Sequence, residues 1–238
     1  DMYLSGLILF VVLMAACFLG YVLNWVQLSY WVATVINSML SVVPCLFEGV
    51  MGNFYVSGVV LSRFFVFHWL AAFATLVIVA AHFLFLHYSG SSSVRPLYVI
   101  RISFFVYILS KDLGGLYLFF VLTILLVGMG ILTVSHSDNC LGVDSLVTPL
   151  HIVPEWYFLQ IYAILKCYPD KVVGLNGLIK YLVLVLTIPI RSSNVWAMVT
   201  VVALNFLLFL LGAQLPNDIY VSSARVVFIL IIIIGLVT

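Results

Sequence analysis

The sequence predicts an all-α integral membrane protein with about six transmembrane helices and additional amphipathic helices at the membrane interface. Of its 238 residues, 66% are hydrophobic and only 7% are charged, and the mean hydropathy is +1.31. A soluble domain carries about 25% charged residues, so this chain has too few charges to cover a water-facing surface. Several apolar runs reach the roughly 20 residues that a helix needs to cross a bilayer. They lack the alternating pattern of membrane β-strands.

Charge and cysteine content exclude further classes. The net charge of +1 argues against nucleic acid as a partner. The four cysteines form no CxxC pair and no metal-ligand spacing, so we interpret them as packing or interfacial residues. No cleavable signal-peptide pattern is present. The chain opens on Asp1 and stops within an apolar run, and we expect it to be a piece of a longer unit.

Hydropathy and breaker residues place the elements in order. The long segment 24–61 is apolar but interrupted by Pro44 and several glycines, which predicts short interfacial helices. Segment 135–154 is a polar linker, and the aromatic amphipathic stretch 155–168 follows it. Lys180 falls well inside an apolar run and must snorkel to the surface or find a partner. The six predicted spans are about Tyr3–Leu23, Arg63–His87, Leu113–Val134, Gly174–Pro189, Val195–Ala213 and Ser222–Val237.

Two histidines in the second predicted span carry the first functional signal. His68 and His82 are fourteen residues apart, just under four helical turns, so they share a face with about 21 Å of rise between them. Each imidazole is suited to ligate one haem iron, with one haem near each membrane surface. Alternatively, both are buried histidines bonded to neighbouring helices, although an ionisable residue within a span is a functional hypothesis by default.

Two glycines in the first span repeat that spacing. Gly6 and Gly20 are also fourteen residues apart, so they share a face. A flat macrocycle can pack closely against a helix where a glycine has no side chain, so two such glycines favour two haems at two levels. Alternatively, the same glycines serve ordinary packing between membrane helices. His87, five residues after His82, points elsewhere and is either a surface histidine or a ligand contact at the membrane rim.

The segment Pro154-Glu155-Trp156-Tyr157 makes a specific resemblance visible. This PEWY motif, within PLHIVPEWYFLQIYAILKCYPDK, resembles the quinol-oxidation signature of mitochondrial-type cytochrome b, a subunit of complex III. The stretches GYVLNWVQLSYWVATVI, LSRFFVFHW…AAHFLFLHYSGS and SKDLGG resemble the family's third, fourth and fifth helices. The resemblance covers nearly the whole chain and implies part of a haem-binding helix bundle.

For the haems, the resemblance implies two haem b groups with one axial ligand each from this chain. His68 would ligate the iron of the low-potential haem, and His82 the iron of the high-potential haem. Gly6 and Gly20 would pack against the haems, and Arg63 would lie beside the first of them.

For quinol oxidation, the resemblance implies a site at PEWY that takes ubiquinol. Glu155 would accept a quinol proton, since a carboxylate at the end of an apolar cavity is desolvated and its pKa rises. Tyr157 and Pro154 would serve the same site, and Tyr30 and Val32 would form its wall. Val32 stands where the family has glycine, so we expect methoxyacrylate-type inhibitors to bind weakly.

For quinone reduction at the other face, the resemblance implies a pocket lined by His87, Ser91, Lys111 and Asp112. His87 and Asp112 would bracket the two carbonyl oxygens of the ring and deliver protons. Taken alone, Asp112 is also explained as a residue favoured by the dipole at a helix N-terminus.

The resemblance also implies a setting. It implies a multi-pass protein of the mitochondrial inner membrane in a dimeric complex with a Rieske iron–sulfur protein, cytochrome c1 and other subunits. It divides the chain into haem-side helices at residues 1–110 and quinol-site linker and C-terminal helices at 111–238. The family's first two helices have no counterpart here, so we expect a second polypeptide or a missing segment to supply the other haem ligands. The alternatives are a haem-free transporter or channel subunit with proton-relay histidines, and a purely structural remnant.

Overall fold

The computed structural model describes residues 1–53, 55–91, 101–130, 136–191 and 194–237. Within these ranges the chain is built mainly of α-helices, with a π-helical turn at Phe104–Ile108, 3₁₀ turns at Ser137–Cys140 and Trp156–Phe158, and a non-helical segment at 141–155. The helices are α1 (Met2–Leu23), α2 (Gln27–Leu40), α3 (Pro44–Met51), α4 (Gly58–Ser89), α5 (Leu109–Gly128), α6 (Leu159–Lys166), α7 (Lys171–Arg191), α8 (Val195–Gly212) and α9 (Asp218–Val237).

The expectation of six transmembrane helices is confirmed for the described part of the chain. Helices α1, α4, α7, α8, α9 and the segment Phe104–Gly128 are long and apolar enough to cross a membrane. Several begin earlier than the sequence suggested; α4, for example, starts at Gly58 rather than Arg63. The third span was placed too late: its helix ends at Gly128, because Gly130 turns the chain with φ +65°, and residues 131–134 lie outside the described ranges.

The interrupted segment after α1 forms two short helices, as expected. Pro44 begins α3, a position where its missing N–H costs nothing, and Gly52 ends it with φ +58°. The Arg63 side chain donates from Nη1 to the backbone oxygens of Glu48 and Gly49, at 3.0 and 2.6 Å, and so satisfies the carbonyl end of α3. These contacts fix α2 and α3 against the N-terminal half of α4.

Two apolar clusters hold the described helices together. The first joins α1–α4 and consists of Val22, Tyr30, Ala33, Met51, Val56, Val60 and Phe64. The second joins α6–α9 and includes Ala163, Ile164, Cys167, Tyr181, Leu184, Ile188, Val201, Leu208, Leu211, Ala224, Val227, Phe228 and Ile231.

Two cationic side chains near the second cluster donate hydrogen bonds to backbone carbonyls at helix ends. Lys166 Nζ donates to the carbonyl oxygens of Leu211, Gly212 and Gln214 at the end of α8, at 2.7, 3.3 and 2.9 Å. Arg225 on α9 donates through Nε and Nη2 to the Cys167 carbonyl, at 3.1 and 2.6 Å. Cationic side chains therefore close the C-terminal ends of two helices, where the helix dipole favours them.

Candidate haem and quinone sites

His68 lies on the face of α4 that packs against α1. Its Nδ1 lies 2.9 Å from the Ala16 carbonyl oxygen. Because a carbonyl only accepts, Nδ1 carries the proton in this hydrogen bond. The lone pair of the neutral ring is then on Nε2, which makes no hydrogen bond to any residue that the structure describes. A backbone carbonyl on the distal nitrogen is the usual way in which proteins orient a metal-ligating histidine.

His82 repeats this arrangement nearly four turns further along α4. Its Nδ1 lies 2.8 Å from Ser5 Oγ. The Ser5 hydroxyl donates its own proton to the Met2 carbonyl at 2.8 Å, so it accepts from His82. The proton of His82 is therefore on Nδ1, and Nε2 keeps its lone pair. Sequence reasoning did not identify Ser5 or Ala16 as partners.

The two glycines of α1 lie opposite the two histidines. An ideal Cβ on Gly20 would be 2.7 Å from His68 Cε1, and one on Gly6 would be 3.3 Å from His82 Cε1. Since both pairs are spaced by fourteen residues on helices of opposite direction, each glycine meets one histidine at the same level. In this structure the glycines admit the imidazole rings themselves, rather than only a macrocycle as expected.

The surroundings of His82 fit a haem. A cavity of about 640 Å³ opens beside the ring, and its lining is almost entirely apolar. Its walls are Met2, Tyr3, Gly6, Leu7, Phe10, His82 and Leu186. An oriented imidazole with a free Nε2 beside an apolar cavity matches the needs of an axially ligated porphyrin. In the part of the chain that the structure describes, no group of three or more His, Cys, Asp or Glu side chains comes together, and His82 is the one histidine in this cavity's lining.

The PEWY segment lies beside a second cavity, of about 310 Å³. Pro154, which is buried, and Val32, which is 3% exposed, both line it. The remaining walls come mainly from α2 and α6: Val35, Ile36, Met39, Ile152, Phe158, Ile161, Tyr162, Leu165, Lys166, Leu175 and Leu178. Tyr30 was also expected here, but it lies in the first apolar cluster, edge-on to Trp25 and Trp31.

Glu155 and Tyr157 do not line this cavity but lie together at its edge. Burial, with smaller contributions from Cys17 and Glu155, raises the pKa of the Tyr157 phenol to about 12. Glu155 also acts electrostatically on Tyr21 of α1, whose hydroxyl donates to Asn139 Oδ1 at 3.2 Å. Glu155 therefore lies near two phenols, those of Tyr21 and Tyr157. Sequence reasoning missed Cys17 and Tyr21, although their spacing of four residues places them on one face of α1.

The expected residues of the second quinone pocket are not brought together. His87 and Ser91 are exposed at the end of α4, and Lys111 and Asp112 are exposed near the start of α5. Within the described ranges, none of the four makes a hydrogen bond or ion pair with another of the set. Helix α5 itself buries no residue. Arg63, expected beside the first haem, donates hydrogen bonds to the backbone oxygens of Glu48 and Gly49 at the end of α3.

Comparison with known proteins gives two family matches that together cover most of the chain. Residues 1–90 match the family described as cytochrome b/b6/petB, and residues 142–232 match cytochrome b(C-terminal)/b6/petD. His68, His82, Gly6 and Gly20 fall in the first match, and the PEWY segment falls in the second.

Similar full-length proteins have the same description. Cytochrome b of Toxoplasma gondii is 37% identical over 253 residues, covering 99% of this chain and 68% of that protein. Cytochrome b of Plasmodium vivax is 38% identical, covering 95% of this chain and 64% of that protein. A solved chain of a hyperthermophilic respiratory complex III has a TM-score of 0.85 at 22% identity, covering 99% of this chain and 68% of its own. The chain thus spans about two thirds of the length of its relatives.

Proposed function

The chain belongs to the cytochrome b family, and from that premise we propose that it is the quinol-oxidising, quinone-reducing membrane subunit of complex III. The observation that carries this proposal is the matched pair of histidines, each with Nδ1 held by α1 and Nε2 free. A proton relay does not require two histidines that are oriented in the same way at two levels of the membrane. None of the comparisons supports a transporter.

His68 and His82 would each hold one haem b through Nε2, at the low-potential and high-potential positions respectively. When bound, these groups supply one-electron transfer between the two faces of the membrane. The protein fixes each imidazole by a hydrogen bond to Nδ1 and excludes water with the apolar lining around His82. Because this chain provides one histidine per level, the second axial ligand would come from residues other than those of this chain.

The cavity beside Pro154 would bind ubiquinol, and Glu155 would accept one of its protons. Tyr157 stays protonated at physiological pH, because its pKa is about 12, and so it can donate a hydrogen bond but not act as the base. Among these neighbouring groups only the Glu155 carboxylate is suited to take and release a proton. Val32 would narrow the ring-binding end of the cavity.

At the other face, His87, Ser91, Lys111 and Asp112 would form the quinone-reduction pocket. All four are exposed near the ends of α4 and α5. A quinone seated there would need α5 to approach α4, with His87 and Asp112 delivering protons to the two carbonyl oxygens.

In this function the chain would act as part of a quinol:cytochrome c oxidoreductase. Its partners would be a Rieske iron–sulfur protein and cytochrome c1, in a dimeric complex of the mitochondrial inner membrane. The division into haem-side helices at 1–110 and quinol-site helices at 111–238 is supported by the two separate apolar clusters.

The experiment is a reduced-minus-oxidised absorption spectrum of the purified complex with single histidine variants. We expect His68→Ala to remove one b-haem band and His82→Ala the other, because each ring ligates a different iron. His136→Ala is the control, since His136 is exposed in the linker. Complete b-haem bands in both variants, in an assembled complex, would refute the assignment.

A further inference from the structure

A third cavity, of about 360 Å³, lies on the outer surface between α7 and α9, away from the haem and quinone sites. Its lining contains no acidic side chain, and its polar residues are Tyr168, Asn176 and Lys180. The remaining walls are apolar: Val172, Val173, Gly177, Phe228, Ile229, Ile232 and Ile233. We call this cavity the α7–α9 groove.

Lys180 is the unusual residue of the groove. It lies nine residues after the first residue of α7, within a segment able to cross the membrane. No hydrogen bond or ion pair joins it to another residue in the described ranges. An ammonium group in hydrocarbon costs several kcal/mol unless it reaches water or an anion.

The position of Lys180 allows its amine to reach the interface. Its Cα is about 14 Å from the start of α7, at 1.5 Å per residue. Side chains on a helix lean toward its N-terminus, and a lysine stem extends about 6 Å, so the ammonium lies about 8 Å from that end. Asn176, one turn nearer the end, lies on the way. This depth is close to the headgroup region of a bilayer.

A second cation lies next to the groove, outside its lining. Arg225 lies over the Tyr168 ring, with Cζ 5.6 Å from the centroid. Asp170 is the acidic residue closest in sequence to the residues that line the groove. Its carboxylate accepts hydrogen bonds from backbone amides in the first turn of α7, at 2.7 and 3.3 Å, and so caps that helix. The groove therefore combines one cation, an amide and a phenol with an apolar wall, and the second cation, Arg225, lies beside it at Tyr168.

We propose that the α7–α9 groove binds an anionic membrane phospholipid. Its phosphate lies between Lys180 and Asn176, below Tyr168, and an acyl chain lies along Phe228, Ile229 and Ile233. A carboxylate on a partner helix would satisfy the lysine as well, but it would have to lie at the level that the Lys180 ammonium reaches, near the interface, where lipid phosphates already are. A lipid supplies the negative charge at that level and an apolar chain for the wall of the groove.

The test measures phospholipids that remain bound to the purified complex after detergent washing, by mass spectrometry. We expect Lys180→Met to retain several-fold less anionic lipid than wild type, with neutral lipid unchanged. Lys171→Met is the matched control, because Lys171 is an exposed lysine on the same helix outside the groove lining. Ile229→Trp keeps the charge and obstructs the acyl wall, so it should also lose the lipid and covers the case in which Lys180→Met fails to assemble.

Two results would overturn the proposal. One is equal retention of anionic lipid in wild type, Lys180→Met and Ile229→Trp. The other is loss of a protein subunit from Lys180→Met with lipid retained, which would assign the lysine to a partner carboxylate. Neither result bears on the haem assignment, which is read from the absorption spectrum.

Discussion

The contact between Gly20 and His68 makes a quantitative prediction when compared with its counterpart at Gly6. A methyl group in Gly20→Ala would be 2.7 Å from His68 Cε1, and also 3.2 and 3.3 Å from Nδ1 and Nε2. Carbon atoms pack at about 3.5–4.0 Å, so the ring must move by roughly 1 Å. That shift lengthens the 2.9 Å hydrogen bond to Ala16. In Gly6→Ala the closest approach to His82 is 3.3 Å, which a few tenths of an ångström relieve.

The two alanine variants should therefore differ in stability. Overpacking costs about 1–3 kcal/mol and a lost hydrogen bond about 1 kcal/mol, whereas alanine favours a helix over glycine by about 1 kcal/mol. We expect Gly20→Ala to lose about 1–3 kcal/mol and Gly6→Ala to be nearly neutral. At about 2–4 °C per kcal/mol, the midpoint of thermal unfolding falls by several degrees in Gly20→Ala only.

The assay combines thermal unfolding of the purified complex with its reduced-minus-oxidised spectrum. Gly20→Ala should weaken or shift the b-haem band assigned to His68 and leave the other band unchanged. The reasoning is refuted if both variants have the wild-type midpoint and spectrum, or if Gly6→Ala is the more damaging of the two.

Three further predictions concern the quinol cavity and its supports. Val32→Gly should strengthen binding of a methoxyacrylate-type inhibitor about tenfold or more in a quinol oxidation assay, because Val32 lines the cavity; strong inhibition of the wild type would contradict this. Lys166→Met should lower the unfolding midpoint with intact haem bands, because it loses hydrogen bonds from a charged donor, each worth about 1.5–3 kcal/mol; an unchanged midpoint would count against it. Tyr157 ionises near pH 12 rather than 10, so its contribution to stability is full below pH 10 and is lost as pH rises through 12. An absorbance titration of wild type and Tyr157→Phe measures this, because the difference between the two curves is the ionisation of Tyr157. A difference centred near pH 10 would disprove the prediction.

Local sequence patterns predicted the helices well because each helix follows from a run of residues close in the chain. The first span was expected at Tyr3–Leu23 and is found at Met2–Leu23. The sequence pattern did not predict helix ends that depend on a single backbone angle. An example is the end of α5, which Gly130 follows with a positive φ. The sequence remains largely apolar after that glycine, and a hydropathy average carries no information about a single dihedral angle.

The candidate sites show the same division. Spacing alone placed His68 and His82 on one face of their helix, and it placed Gly6 and Gly20 on one face of the preceding predicted span. Only the antiparallel packing of α1 on α4 decided that Gly20 meets His68 and Gly6 meets His82.

The sequence by itself determined that the chain has helices able to cross a membrane, that two histidines share a helix face and that a PEWY motif is present. These properties depend on composition and on neighbours within a few turns. The tertiary structure decided which nitrogen of each histidine carries the proton, because the acceptors Ala16 and Ser5 lie on another helix. It also decided that Cys17 lies near Tyr157 and Tyr21 near Glu155, each more than a hundred residues away in the chain. Such contacts arise from the way helices pack, and no local pattern records which distant residue will be the neighbour.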